Sequence, residues 1–380
     1  MKRLLVLVVA CAGIEVPPVT TPVAAPPPPQ VPIDAPLDAP PDAPPDAPVA
    51  TAPVATTDEV WLRGSTHVHA RPSGDSSEPI ADVIKWYEAR HYDFIALTDH
   101  NQVSEIDKTT DTTGKIAVST KGLIVLSGIE LTHNPKGCLP AGDKTRECRI
   151  HVNALGPTAR PGKKVEWANR KTHDRVAKYQ AALDEAHALG AHVVQINHPQ
   201  WHWGMTADIL AELARRGAGL VEIANIQFPT WNAGDKDHPS MEQLWDGALA
   251  AGVALYGVAS DDAHSYRGNK RDKWPAGGGW IVVHARRDPQ AILDAIAAGH
   301  FYASTGVELV HAEAAGGELV VEVAAGDPGR DRIAFVENGK VVATVEGRSA
   351  KRAIPASGYV RAIVTRDDGK QAWVQPVRRR

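Results

Sequence analysis

The sequence predicts an α/β body followed by a smaller all-β region, and three observations carry that prediction. From Val60 to about residue 306, short apolar runs alternate with segments of helical period. Beyond Val307 the apolar pattern changes to a period of two. The first 57 residues fit neither pattern. At 380 residues and 43% hydrophobic, the chain can bury a core, which excludes a wholly disordered protein. With 41 Lys and Arg against 45 Asp and Glu, the net charge of -4 gives no electrostatic case for nucleic acid as a partner. Twenty-nine prolines exceed what a folded domain needs, and 3 cysteines are too few for a disulfide-dense scaffold and cannot all pair within one chain.

The N-terminus reads as an address. Lys2 and Arg3 precede the apolar run Leu4 to Ala10, far shorter than the roughly 20 residues of a membrane-spanning helix but suited to the core of a signal peptide. Val8-Val9-Ala10-Cys11 resembles the lipobox of bacterial lipoproteins, in which the residue matching Cys11 is lipidated. Residues 1–11 are therefore expected to be a lipoprotein signal, with a plain secretory signal as the alternative. The implied location is an exported lipoprotein, periplasmic or anchored at the outer membrane or cell surface, touching membrane only through its lipid. Residues 12–57 are rich in Pro and Ala, lack Lys and Arg, and repeat Asp-Ala-Pro at Asp34, Asp38, Asp42 and Asp46. Such a segment buries too little apolar side chain to offset its chain entropy and is expected to be a disordered linker, extended as polyproline II.

In the body, residues 58–306, the runs Asp93 to Leu97, Leu123 to Leu126, His192 to Ile196, Leu220 to Ile223 and Val253 to Tyr256 are bounded by Gly or polar residues and read as buried parallel strands. Ile80 to Arg90, Thr172 to Leu189, Ala207 to Arg216 and Met241 to Ala251 carry Ala, Leu and Glu at helical spacing; Gly190, Gly217 and Gly252 stop three of them. The alternation argues for an α/β barrel or a doubly wound sheet. In residues 307–380, Glu318 to Val323, Arg332 to Val336, Lys340 to Val345, Tyr359 to Thr365 and Gln371 to Val374 read as strands, joined by turns such as Asn338-Gly339. A small β-sandwich domain is expected there. Its one histidine, His311, places no chemistry in it.

The chemistry gathers at strand ends. His67 and His69 lie two apart on the first strand, so both imidazoles point the same way. Among 16 histidines one such pair is unremarkable by chance, and the case rests on the residues downstream of it. Asp75 comes just after, His100 closes Phe94 to Asp99, Glu130 closes Leu123 to Ile129, His151 opens the next apolar run, His198 closes Val193 to Asn197, and Asp262 and His264 end the strand from Val253. In a parallel barrel these ends converge on one face. Burying so many imidazoles and carboxylates together without a cation would cost several kcal/mol per unpaired charge.

His-x-His, Gly74-Asp75-Ser76, Leu97-Thr98-Asp99-His100-Asn101, Gly128-Ile129-Glu130-Leu131, the lone His151, Asn197-His198-Pro199 and Ser260-Asp261-Asp262-Ala263-His264 resemble, in order, the motifs of the polymerase and histidinol phosphatase (PHP) superfamily. The resemblance covers roughly Val60 to Gly306. It implies a distorted seven-stranded (β/α) barrel with two to three divalent ions, Zn, Mn or Fe. His67, His69, Glu130 and Asp262 would bind the first, Glu130 would bridge to a second completed by His151 and His198, and Asp75, His100 and His264 would hold the third. Glu130, Asp262 and His264 are the residues it places at the catalytic centre. The implied activity is a phosphoesterase, hydrolysing a small phosphate monoester or diester by metal-activated hydroxide at a trinuclear site. The run Gly299 to Gly306, the appended β region and the lipoprotein start look more like the secreted branch that includes carbaryl hydrolase, which makes a carbamate or carboxylic ester the alternative substrate. A third reading is a catalytically inactive surface lipoprotein that binds metal or glycan.

Asn101, Trp201, His202, Trp203, Tyr266, Arg267 and Lys270 are candidates for substrate contact, the two tryptophans as a clamp for an aromatic or sugar group. His91, His187 and His284 read as structural, while His133 and His202 stay open. Cys138 and Cys148, in the insertion between Glu130 and His151, could bind zinc or pair; with only two thiols and an exported location a disulfide is favoured. It would close a short loop and stabilise the fold by about 2.5 to 3 kcal/mol.

Overall fold

The computed structural model describes residues 58–104, 122–268, 273–326 and 329–379. The expected lipoprotein signal with Cys11, the Pro-rich segment and Lys270 lie outside these residues.

Strands β1 (Val60–Val68), β2 (Phe94–Leu97) and β3 (Ile124–His133) are parallel neighbours, with α1 (Ile80–Glu88) between the first two. Gly64 lets β1 cross β2, because a Cβ there would lie 2.3 Å from the Phe94 ring. β4 (Ile150–Leu155) runs antiparallel to β3 and to β5 (Val193–Ile196). The connection from β3 to β4 contains no helix among its residues, so the chain turns back at the same end of the sheet instead of crossing over. α2 (Arg175–Ala188) precedes β5, and α3 (Ala207–Arg215) leads to β6 (Leu220–Asn225). The short α4 (Pro229–Ala233) and α5 (Met241–Ala250) precede β7 (Tyr256–Ser260). β5, β6 and β7 are parallel. Polar caps start the helices: Asp174 accepts from Ala177 N, Thr206 from Ile209 N, and Ser240 forms a capping box with Gln243.

The strand from Val253 begins later than its apolar run, at Tyr256; Val253 and Leu255 are buried in the approach to it. The seven strands lie side by side in chain order, but they are not an all-parallel closed barrel. β4 is reversed, and β1 meets the segment beyond β7 through a single bridge, Val68 to Ala263, with His69 N donating to Ala263 O at 3.0 Å. The sheet also continues past β1. β8 (Trp280–Ala285) pairs antiparallel with β1, and α6 (Pro289–Ala298) connects it to β9 (Phe301–Ser304).

Beyond β9 come β10 (Leu309–Ala315), β11 (Glu318–Val323), β12 (Asp331–Glu337), β13 (Lys340–Glu346), β14 (Ser349–Ala353), β15 (Val360–Arg366) and β16 (Gln371–Val377). The period-two strands do not stand apart as a sheet of their own. β16 pairs with β9, so β16, β15, β12 and β13 extend one 13-stranded sheet, while β10, β11 and β14 form a second sheet of 3 strands. Leu309, Leu319 and Val321 pack against Ile333, Phe335, Val360 and Val364 between the two layers. No helix among the described residues is long and apolar enough to cross a membrane.

Candidate metal centre

Strand geometry brings the nine sequence-selected side chains to one end of the β1–β7 run. Ser65, His67 and His69 alternate with their neighbours along β1 and just past it, so the two imidazoles share a face. His100 forms a parallel bridge with Glu130, and Thr132 pairs across the ladder with His151. The reversal of β4 explains why His151 lies near the start of its strand when His100 and His198 follow the ends of β2 and β5; Glu130 does not close its run as expected but lies inside β3, which continues to His133.

Glu130 lies at the centre, with its two oxygens facing different histidines. Oε1 is 3.0 Å from His151 Nδ1, 3.3 Å from His67 Nε2 and 3.7 Å from His198 Nε2. Oε2 is 2.6 Å from His100 Nδ1 and 3.7 Å from His69 Nε2. Asp262 Oδ1 stands 3.2 Å from both His67 Nε2 and His69 Nε2, and Oδ2 is 3.7 Å from His198 Nε2. Asp75 Oδ2 reaches His100 Nε2 at 3.0 Å and His264 Nε2 at 3.3 Å. The Asp75 side chain is 42% exposed, whereas Glu130 and His198 are at 1%, so Asp75 marks the outer rim.

Four overlapping groups could hold metal: His69, His100 and His264; His67, His198 and Asp262; His67, His69 and Glu130; and Glu130, His151 and His198. In each, the ligand atoms lie within 4.8 Å of one another. The donors fit a cation. His67 Nε2, His69 Nε2, His264 Nε2 and Asp262 Oδ1 are buried and make no hydrogen bond, and a cluster of imidazole nitrogens and carboxylate oxygens suits Zn, Mn or Fe.

The electrostatics show how finely the cluster is balanced. Burial works against a charge on His67, yet Asp262, Glu222 and Glu130 outweigh it and raise the ring's pKa well above the usual value. Burial also opposes ionisation of Glu130, but His151, His100 and His67 hold it well below the usual carboxylate range; Asp262 is held down in the same way, chiefly by His67. Burial lowers His69, with His264 and His100 adding to the effect.

Several side chains that orient these ligands carry no obvious sequence signal. Glu222, within β6, is buried, lies 2.7 Å from His67 Nδ1 and accepts from His198 N at 2.6 Å. Ser73 Oγ contacts His69 Nδ1 at 2.8 Å and donates to Asp99 Oδ1 at 2.9 Å. Thr132 Oγ1 lies 2.8 Å from His100 Nδ1, Asn134 Oδ1 2.7 Å from His151 Nε2, and Asn197 Nδ2 donates to Glu130 Oε1 at 2.9 Å. A polar residue inside an otherwise apolar strand was the available clue for Glu222. Backbone strain collects here as well: Asn101, His198 and Asp262 hold φ of 54°, 24° and 44°.

The proposed substrate contacts fare differently. Trp203 is 7% exposed and stacks on His238 with ring centroids 4.2 Å apart, which leaves it as packing. Trp201 stands edge-on to His198 at 5.2 Å, but it stacks on Phe228 at 4.5 Å and carries the Arg149 guanidinium 4.5 Å from its ring. Each indole is thus stacked on a protein ring. His202 Nδ1 is 2.8 Å from Asp143 Oδ2. Asn101 spends its amide on Thr132 and on Trp167 Nε1, 2.7 Å away. Arg267 pairs with Glu78 and Ser77, and the Tyr266 hydroxyl donates to His69 O at 2.7 Å. His133 is partly buried beside Trp167, with ring centroids 6.1 Å apart. His91 carries φ of 59°, and His284 stacks on Trp61 at 4.7 Å and meets Glu313 at 3.0 Å. Cys138 and Cys148 form a disulfide.

No protein-family model matches the chain, and no curated protein matches it. Among solved structures, it is similar to a two-domain protein from Bacteroides vulgatus ATCC 8482 described as containing a predicted PHP-like metal-dependent phosphoesterase. The two share 15% sequence identity over 84% of this chain and 96% of that one, with a TM-score of 0.43.

Proposed function

We propose that the chain is a divalent-metal-dependent hydrolase of the PHP superfamily, a phosphoesterase acting on a small phosphate monoester or diester. The observation that supports this most is the set of buried, unbonded nitrogens and oxygens that face one another around Glu130. His67, His69, Glu130 and Asp262 would hold one ion, Glu130, His151 and His198 a second, and Asp75, His100 and His264 a third. When bound, such ions supply Lewis acidity and make water a nucleophile near neutral pH. The chain's own contribution is alignment. Glu130 offers one oxygen to each of two histidine sets, and Ser73, Thr132 and Asn134 fix ring orientations before any ligand arrives.

The substrate would be a small molecule and not a nucleic acid, given the net charge of -4. Export as a lipoprotein through Cys11 belongs to the same proposal; a buried disulfide suits an oxidising compartment. The test is metal analysis of the body from about residue 58, followed by turnover of p-nitrophenyl phosphate, bis-p-nitrophenyl phosphate and 1-naphthyl methylcarbamate with added Mn or Zn. Phosphate release from either phosphate ester is expected. Turnover of the carbamate alone would move the reading to an ester and carbamate hydrolase; no turnover with bound metal would leave a binding protein.

A further inference from the structure

Glu222 sits in the middle of β6 with no exposed surface, and among the described residues no Lys or Arg is bonded to it. Both of its oxygens are used. Oε1 lies 2.7 Å from His67 Nδ1 and accepts from Ser260 Oγ at 2.5 Å and from Gln195 Nε2 at 3.4 Å. Oε2 accepts from His198 N at 2.6 Å and from Asn225 Nδ2 at 3.0 Å. His198 N and Asn225 Nδ2 point N–H groups at Oε2, and Ser260 Oγ and Gln195 Nε2 point donors at Oε1, so this donor-lined carboxylate meets the His67 ring as an acceptor and places the ring proton on Nδ1. Nε2 is then left facing Glu130 Oε1 at 3.3 Å and Asp262 Oδ1 at 3.2 Å. The second oxygen holds His198 at a backbone φ of 24°, a conformation that needs an external hold.

We propose that Glu222 is a positioning residue that locks His67 in its Nδ1–H form and pins the strained backbone of His198, presenting both rings to metal. This rests on the metal-centre reading. It adds a single buried carboxylate that organises ligands on two different strands, which explains why a charged group is kept inside β6. Gln at this position preserves the volume but replaces one acceptor oxygen with a donating amide. That amide then faces either His67 Nδ1–H or His198 N–H, and one of the two bonds is lost.

The test compares wild type and Glu222→Gln by competitive titration of Zn²⁺ against a chelator, with ¹⁵N-labelled histidine spectra of both proteins with and without Zn²⁺. The variant is expected to bind Zn²⁺ about 10- to 100-fold more weakly. In wild type, His67 should show a slowly exchanging Nδ1–H proton in both states and be ligated through Nε2; in Glu222→Gln that proton signal should shift or exchange rapidly. Unchanged affinity together with an unchanged His67 signal in a folded variant overturns the proposal. If the variant does not fold, the wild-type spectra still decide it: ligation through Nδ1, or the absence of a protected Nδ1–H, overturns it. Failure of wild type itself to bind Zn²⁺ would overturn the metal-centre reading, while the metal-free His67 signal would still test Glu222 by itself.

Discussion

Two buried charge clusters in this molecule make opposite use of burial. Between α5 and β15, Arg361 is 2% exposed; its Nε and Nη2 hold Asp246 at 2.7 and 2.8 Å, Nη2 meets Glu242 at 3.2 Å, and the guanidinium lies 4.9 Å from the Trp245 ring. The Tyr359 hydroxyl donates to Asp246 Oδ1 at 2.7 Å. That cluster supplies its own opposite charge, with only the Arg361 Nη1 of its guanidinium left without a hydrogen bond. Around Glu130, imidazoles and carboxylates face one another with key atoms unbonded, so the cluster is completed by protons or by metal. A closed ion pair stabilises a joint between elements; an open one has room for a cation.

The contrast can be broken from either side. The largest expected effect is at the closed cluster. Asp246→Ala leaves Arg361 buried without its main partner and should cost about 3–5 kcal/mol in denaturant unfolding, with metal content unchanged. A loss of metal in that variant would show the two clusters to be coupled. Next is Glu130→Ala, which removes an oxygen from two histidine sets and should weaken metal binding by more than about 100-fold, beyond the usual effect of an outer hydrogen-bond partner. Elemental analysis after dialysis reads this out, and near-normal metal content would refute the central role of Glu130.

Protonation gives a third test. Burial works against a charge on His100, but Glu130 and Asp75 outweigh it and raise its pKa to about 10, whereas burial lowers His151 to about 4 despite Glu130. The raised His100 stabilises the metal-free fold fully below its ordinary value of 6.5, and that contribution fades as pH climbs through about 10. Metal at His100 must displace the proton, while above about pH 4 His151 has none to lose. Between pH 6.5 and about 10, metal-free stability should therefore fall as metal affinity rises. Calorimetry at pH 7.5 in two buffers of different ionisation enthalpy should show net proton release on metal binding; none would contradict the assignment. The smallest effect is expected at the exposed rim: Asp75→Ala should retain more metal than Glu130→Ala, and equal loss in the two would remove the distinction between core and rim.

The metal face was legible because its residue types are conspicuous and sit at strand ends, where period and punctuation show in one dimension. His67 with His69, and Asp262 with His264, are close in sequence; parallel pairing sets His100 beside Glu130, whereas His151 arrives on the reversed β4, opposite Thr132. Glu222 was not legible, since one acidic residue in an apolar run looks like any other until its oxygens are seen against His67 and His198. The surroundings of the two tryptophans were not legible for a related reason. Trp201 and Trp203 follow His198 closely, but Phe228, Arg149 and His238, which occupy their faces, come from other segments.

The same distinction applies to the fold. Alternating and helical periods report which face of an element is apolar, so α1, α2, α3, α5 and most strands follow from the sequence within a few residues. Periodicity does not report strand order or direction. The reversal of β4, the single bridge that joins β1 to the segment after β7, and the pairing of β16 with β9 depend on backbone hydrogen bonds between distant segments. The sequence by itself determined which side chains could bind a cation. Only the tertiary structure decided that Glu130 turns one oxygen to each of two histidine sets and that Glu222 stands behind His67, because both are distances across strands and no spacing along the chain encodes them.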